Sequence, residues 1–191
     1  MREVPQILVV LVLLAAAGAA ADEPRALSAE ATERLTGLLR AYEQQPTAED
    51  FLALGEKDLV RDALIGMVAD DSQVALLRGR AIVALGFFAD DASRRAIEGV
   101  LDRPGLSDII LRRALETMAR AFRDAGISRI TPYLDDARTD VREAAARALG
   151  EIGTPEALRA LRRRLDRETS DVVRTTIDAQ IRRIEEATIV E

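Results

Sequence analysis

Asp140-Val141-Arg142-Glu143-Ala144-Ala145-Ala146-Arg147-Ala148-Leu149-Gly150-Glu151-Ile152-Gly153 is the stretch that decides the fold. Thr139 and an acid open it, Ala and Leu fill it, and Gly153 stands where a helix should end. The phrase recurs. Leu77-Arg78-Gly79-Arg80-Ala81-Ile82-Val83-Ala84-Leu85-Gly86 is a copy 64 residues earlier, and Asp108-Ile109-Ile110-Leu111-Arg112-Arg113-Ala114 lies between the two. Asp171-Val172-Val173-Arg174 opens a fourth copy. The aligned arginines are Arg78, Arg112, Arg142 and Arg174, spaced by 34, 30 and 32 residues. Such a period is the mark of stacked repeats, each too small to bury its own apolar face.

The second half of each unit repeats as well. Ala96-Ile97-Glu98-Gly99-Val100-Leu101-Asp102 aligns with Ala160-Leu161-Arg162-Arg163-Arg164-Leu165-Asp166, and Ile130-Thr131-Pro132-Tyr133-Leu134-Asp135 takes the same place between them. Ala63-Leu64-Ile65-Gly66-Met67-Val68 is a looser, earlier copy. Each unit is therefore a first helix, a short turn, a second helix and a longer turn. Leu158, Leu161 and Leu165 recur at helical spacing and are assigned to the core. Thr154-Pro155-Glu156 is a helix start with cap, proline and acid, and Thr47 with Asp50 resembles a capping box. Ser107, Thr139 and Ser170 each precede an Asp at a helix start, and Gly86, like Gly153, falls at a first-helix end. Pro132 must lie in a first turn or break its helix.

Asp140-Val141-Arg142 with Ala144-Ala145, Ala148-Leu149-Gly150 and Ile152-Gly153 resembles a HEAT repeat, closest to the short subtype named after phycobilisome lyases. The likeness covers about residues 47–184. It implies an all-α fold, a short right-handed α-solenoid of about four to five helix pairs, with second helices lining a concave face that binds proteins. It also implies that Asp140, Arg142 and Arg174 are structural, as members of a ladder between units. Among HEAT-like enzymes, deoxyhypusine hydroxylase binds iron through His-Glu pairs. This chain has no His, so that activity does not carry over.

The flanks read differently. Arg2, the uncharged run Ile7–Ala17 and Ala19-Ala20-Ala21 have the layout of a secretory signal peptide over residues 1–21, with an uncleaved membrane anchor as the alternative. No later segment is long and apolar enough to span a membrane. Residues 22–46 are expected to form an N-terminal capping helix, with Leu35, Leu38 and Leu39 on one side; residues 47–184 form the solenoid and 185–191 a tail. The expected location is periplasmic or secreted, in a bacterial envelope.

Composition restricts the chemistry. Cys is absent as well as His, which excludes disulfides, Ser-His-Asp and Cys-His catalysis and His/Cys zinc sites. Lys57, between Glu56 and Asp58, reads as a solvated surface charge. The acidic pairs Asp70-Asp71, Asp90-Asp91 and Asp135-Asp136 lack EF-hand spacing and read as loop solvation and caps. No cofactor, metal or catalytic site is expected. A net charge of −6 disfavours nucleic acid. The remaining candidate is a groove of arginines on second helices: Arg159, Arg162 and Arg163, pointing away from the core, with Arg95 aligned to Arg159 and Arg129 one residue off that row. Guanidinium forks suit carboxylate and phosphate, so an acidic segment of another protein or an anionic envelope polymer is the expected partner; the competing reading is a solvated face paired with internal acids. The expected function is a non-catalytic scaffold or adaptor, the alternatives an accessory enzyme subunit or a self-assembling structural protein.

Overall fold

In the computed structural model, residues 25–41 and 45–189 are described. The segment 1–21, expected to be a signal peptide, and the last two residues of the expected tail lie outside them. Ten α-helices follow one another: α1 (Ala29–Arg40), α2 (Ala48–Leu52), α3 (Lys57–Ala69), α4 (Ala75–Leu85), α5 (Asp91–Leu101), α6 (Asp108–Phe122), α7 (Ile127–Ile130), α8 (Thr139–Ile152), α9 (Pro155–Leu165) and α10 (Asp171–Ile189). Two 3-10 turns, Arg123–Gly126 and Thr131–Asp135, flank α7. The chain is the all-α solenoid that the repeat implies. First helices α4, α6, α8 and α10 stack side by side, with α1 against α4. The second row is α3, α5, α7 with its 3-10 turn, and α9. Each second helix wedges against the first helix of the next unit: α3 on α4, α5 on α6, the 3-10 turn on α8, and α9 on α10.

Aligning the four first helices by their starts corrects the register. Leu77, Ile110, Val141 and Val173 fall in one buried row, and Ala81, Ala114, Ala145 and Ile177 in another. The row between them holds Arg78, Leu111, Arg142 and Arg174, so spacings are 33, 31 and 32 residues. Arg112 is not in the arginine column: it is exposed, and buried Leu111 takes its place.

That column satisfies the carbonyls left over where a second helix ends, which have no intrahelical donor. Arg78, 5% exposed, donates through Nε to the Val68 carbonyl at 3.1 Å and pairs with Asp71 at 2.8 Å. Arg142 reaches the carbonyls of Asp136 (2.9 Å) and Ala137 (3.0 Å), and Arg174 those of Leu165 (3.0 Å) and Glu168 (2.9 Å). At the α5–α6 junction Leu111 cannot donate. The following unit does so instead: Tyr133 Oη bonds the Leu101 carbonyl at 2.5 Å and Arg138 that of Leu106 at 2.8 Å, while Arg129 adds a second bond, at 3.1 Å, to the Glu98 carbonyl that already accepts from the Asp102 amide.

The last inter-unit turn holds a buried charge cluster. Glu168 is 3% exposed and accepts from Arg142 (2.9 and 3.1 Å), Arg164 (2.6 and 3.0 Å) and the amides of Thr169 and Ser170 (both 2.9 Å). Burial alone would raise its pKa. The hydrogen bonds from Arg142, the Ser170 amide and Arg164 outweigh that and hold it at about 2.

Several sequence expectations change in detail. Thr139 is the first residue of α8, not its cap, and Arg138 precedes it. Ser107 stands at the start of α6 without a side-chain cap bond. Gly153 ends α8 in the left-handed region (φ 75°), which favours glycine. Gly86 does not: its φ is −61°, and its small size serves contact, because a Cβ there would stand 3.0 Å from Thr117 Cγ2. Leu161 is fully buried, whereas Leu158 and Leu165 are only partly so; Ala157 and Ala160 complete that face. Pro132 has no N–H to continue an α ladder, so α7 stops after four residues and the chain tightens into a 3-10 turn. The Thr154 cap and the Thr47–Asp50 capping box form as expected.

Close approach of first helices depends on reciprocal sizes. The same row that places Gly86 against Thr117 places Gly150 against Gln180, where an added Cβ would lie 2.7 Å from Gln180 Cβ and 2.6 Å from Cγ. The outermost helices bury one stripe each: Ala31, Leu35 and Leu39 on α1, and Val173, Ile177, Ile181 and Ile184 on α10.

Gly150→Ala is expected to cost about 1–3 kcal/mol by overpacking. Adding Gln180→Ala should recover most of that loss in chemical denaturation; a double variant no better than the single one would refute the size-matching account. Glu168→Gln is expected to cost about 3–5 kcal/mol at neutral pH, because Arg142 and Arg164 lose a buried charge partner. The folded pKa is depressed, so this stabilisation is full above the ordinary carboxylate range and fades as pH falls towards 2. The gap between wild type and variant should close over that interval in pH-dependent unfolding.

Candidate functional site

The five arginines singled out on the second row do not behave alike. Arg159 and Arg163 on α9 and Arg95 on α5 are exposed and have no hydrogen-bond or ion-pair partner among the described residues. Arg162 pairs with Glu185 at 2.5 Å. Arg129 is half-buried, pairs with Asp102 and holds the Glu98 carbonyl, so it belongs to the α5–α6 junction. Neighbouring Arg164 and Arg167 both bond Asp135, at 2.8 and 2.9 Å. Three guanidiniums thus remain free for a ligand, and two are engaged internally.

The acidic pairs also have local work. Asp70 accepts from the Ser72 amide and hydroxyl, and Asp71 from Arg78 and Arg103. Asp90 caps α5 through the Ser93 amide and pairs with Arg61 at 2.9 Å. Asp136 accepts from Arg138, whose bond holds its carboxyl below the ordinary range against the effect of burial. Among the described residues, no group of three or more acidic side chains is arranged to hold a metal.

Two clefts lie on the other row. One of about 420 Å³ is formed by α1, α2, α4 and α6, with Leu38, Leu39, Phe51, Val83, Ala84 and Phe87 as its apolar lining and Arg80, Arg113, Arg120 and Glu116 as its charged lining. A second, of about 350 Å³, continues along α6 and α8 and shares Arg113 and Glu116 with the first. Its other charged residues are Arg112, Arg147, Asp140, Glu143 and Glu151. None of the five second-row arginines lines either cleft.

The register explains this surface. Positions facing away from the second row bring Val83 from α4, Phe87 from the turn after it, Arg113, Glu116 and Arg120 from α6, and Asp140, Arg147 and Glu151 from α8 onto one face. Gly79 lets the stem of Arg113 lie across α4: a Cβ at Gly79 would stand 3.3 Å from Arg113 Cγ. Arg80 donates to the carbonyls of Leu39 (2.8 Å) and Ala41 (3.0 Å), closing the end of α1. Phe87 is 47% exposed although its ring meets that of Phe51 at 5.8 Å. Along α6, Glu116 receives Arg113 at 2.9 Å and Arg120 at 3.0 Å, and Arg120 also meets Glu151 at 3.3 Å. In the second cleft, burial would raise the Glu143 pKa, but bonds from Arg147 and Thr176, with the charge of Arg112 nearby, lower it. This cleft holds three cations against four acids, whereas the first, among the described residues, holds three cations against one acid. Sequence reasoning passed over Phe87 and Arg113. The adjacent Phe87-Phe88, in a chain with only four Phe, was the available signal.

The fold defined by these units is a HEAT-repeat α-solenoid. Residues 105–180 match the family model for HEAT repeats. Among solved structures, the chain is similar to human deoxyhypusine hydroxylase in complex with glycerol, at 19% identity and a TM-score of 0.57. The match covers 83% of this chain and 64% of that one, so the chain spans less than two thirds of that structure. At this identity the likeness shows the fold alone. No curated protein matches the sequence.

Proposed function

We propose that the protein is a non-catalytic scaffold or adaptor that holds another protein at the bacterial cell envelope. The observation that carries this reading is the first-helix face. Side chains of α1, α4, α6 and α8 form two adjoining clefts there, with both apolar and charged groups, in a repeat architecture commonly used to bind proteins. The absence of His and Cys from the whole sequence supports a role without catalysis, including none of the iron chemistry that His-Glu pairs supply in deoxyhypusine hydroxylases. Export rests on the layout of residues 1–21. The finer kinship with phycobilisome-lyase-type repeats rests on the 139–166 phrase and concerns architecture, with no lyase activity proposed. Nucleic acid suits the net charge of −6 poorly. An accessory enzyme subunit is compatible with the same surface. End-to-end self-assembly is compatible too: α10 buries one apolar stripe inward and exposes Val172 and Ile189 beside Thr175, Arg182 and Arg183.

Affinity capture from envelope extracts, followed by mass spectrometry, is expected to return one abundant, salt-sensitive protein partner. Recovery of the bait alone would refute the adaptor reading. In the same preparation the mature chain should begin at Asp22; retention of the first 21 residues in the membrane fraction would replace export of a cleaved protein with anchoring.

A further inference from the structure

We infer that the cleft between α1, α4 and α6 is the partner site, and that its occupant is a segment of another protein in which a bulky apolar side chain stands near a carboxylate. The inference rests on the scaffold reading and specifies its surface and its ligand.

Three features of the cleft converge on this chemistry. The first is an aromatic side chain left where water reaches it. Phe87 is 47% exposed beside partly buried Val83 and Leu38, and one side of its ring is already fixed by Phe51. A fixed aromatic on a concave apolar patch is the kind of anchor point that carries interface energy. The second is unspent donor capacity on the rim. Arg113 gives one nitrogen to Glu116, and Arg80 gives one nitrogen to the α1 carbonyls. Each guanidinium has five N–H groups, so both retain donors in the fork geometry that receives a carboxylate. The third is charge balance. Among the described residues, Arg80, Arg113 and Arg120 line this cleft with one acid, Glu116, and Arg120 alone of the three also pairs with Glu151 beyond it, whereas the adjoining cleft is lined by three arginines and four acids. An acidic segment is therefore drawn to the α1–α4–α6 end, and a basic one is repelled from it. Gly79 is what brings Arg113 over α4 and next to that apolar patch.

The second-row arginines do not meet these conditions. Arg95, Arg159 and Arg163 are free, but they line neither cleft and have no apolar anchor described beside them. Charge pairs on such an exposed face contribute little by themselves.

The test is selection of binders to the full chain from a random peptide display library, with the enriched peptides measured by fluorescence anisotropy. Enriched sequences are expected to pair Phe, Leu or Trp with Asp or Glu. Their affinity should fall at least tenfold on Phe87→Asp and at least fivefold on Arg113→Glu, and it should weaken with salt. Arg159→Glu should leave it unchanged. Arg113 is half-exposed, so its variant reads the site even where Phe87→Asp disturbs packing on Phe51. Basic enriched sequences, or binding indifferent to both substitutions, would overturn the site. Peptides lost on Arg159→Glu but kept on Phe87→Asp would overturn it while leaving the scaffold reading intact, and a library that yields no binder would count against both. Sedimentation of wild type and Phe87→Asp completes the test: a dimer dissolved by the substitution identifies a second copy as the occupant and overturns a partner of another kind.

Discussion

The stack depends on how the chain meets the carbonyls at the end of each second helix. Most of these groups are buried or half-buried between units, and an unpaired buried carbonyl is costly. An arginine at the fourth position of the next first helix is long enough to reach back over the turn. Arg78, Arg142 and Arg174 do so, and each ties one unit to the next. The α5–α6 junction shows that the requirement belongs to the carbonyls and not to the arginine: where Leu111 takes the position, Tyr133 and Arg138 supply the donors from the other side.

Around that constraint the units pack by size. First helices approach closely because the facing rows are small or reciprocal, with Gly86 under Thr117 and Gly150 under Gln180. Packing of this density leaves little space for a cavity inside the first row. The clefts accordingly form on its outer face, where side chains diverge. The inner face of the row is occupied by second helices, and the Pro132 break tilts one of them into a 3-10 turn without opening the core, since Ile130 and Leu134 remain buried.

Charge follows the same division of labour. Of the arginines at turns, Arg78 and Arg142 are buried and ion-paired while exposed Arg174 holds carbonyls only, and Glu168 is held ionised between Arg142 and Arg164. Arginines on the outer faces are exposed, and some are only partly matched by acids. A guanidinium in this protein is therefore read by its position in the unit. The five second-row candidates illustrate the point, since Arg129 and Arg162 are engaged internally while Arg95, Arg159 and Arg163 are free.

The sequence by itself determined that the chain is helical and repeated, where most helices start and stop, and that no His- or Cys-based chemistry is present. Those properties are local: they follow from periodicity, caps and composition. The tertiary structure decided the register at Arg112, because only stacking reveals which residue faces the turn carbonyls. It decided that Gly86 serves contact and Gly153 serves a left-handed turn, two roles that look identical in the phrase. It also decided which face carries clefts. Arg80 and Phe87 belong to one unit, seven residues apart, but Arg113 lies on another, and whether it shares their surface is set by the helix-to-helix rotation that packing alone imposes.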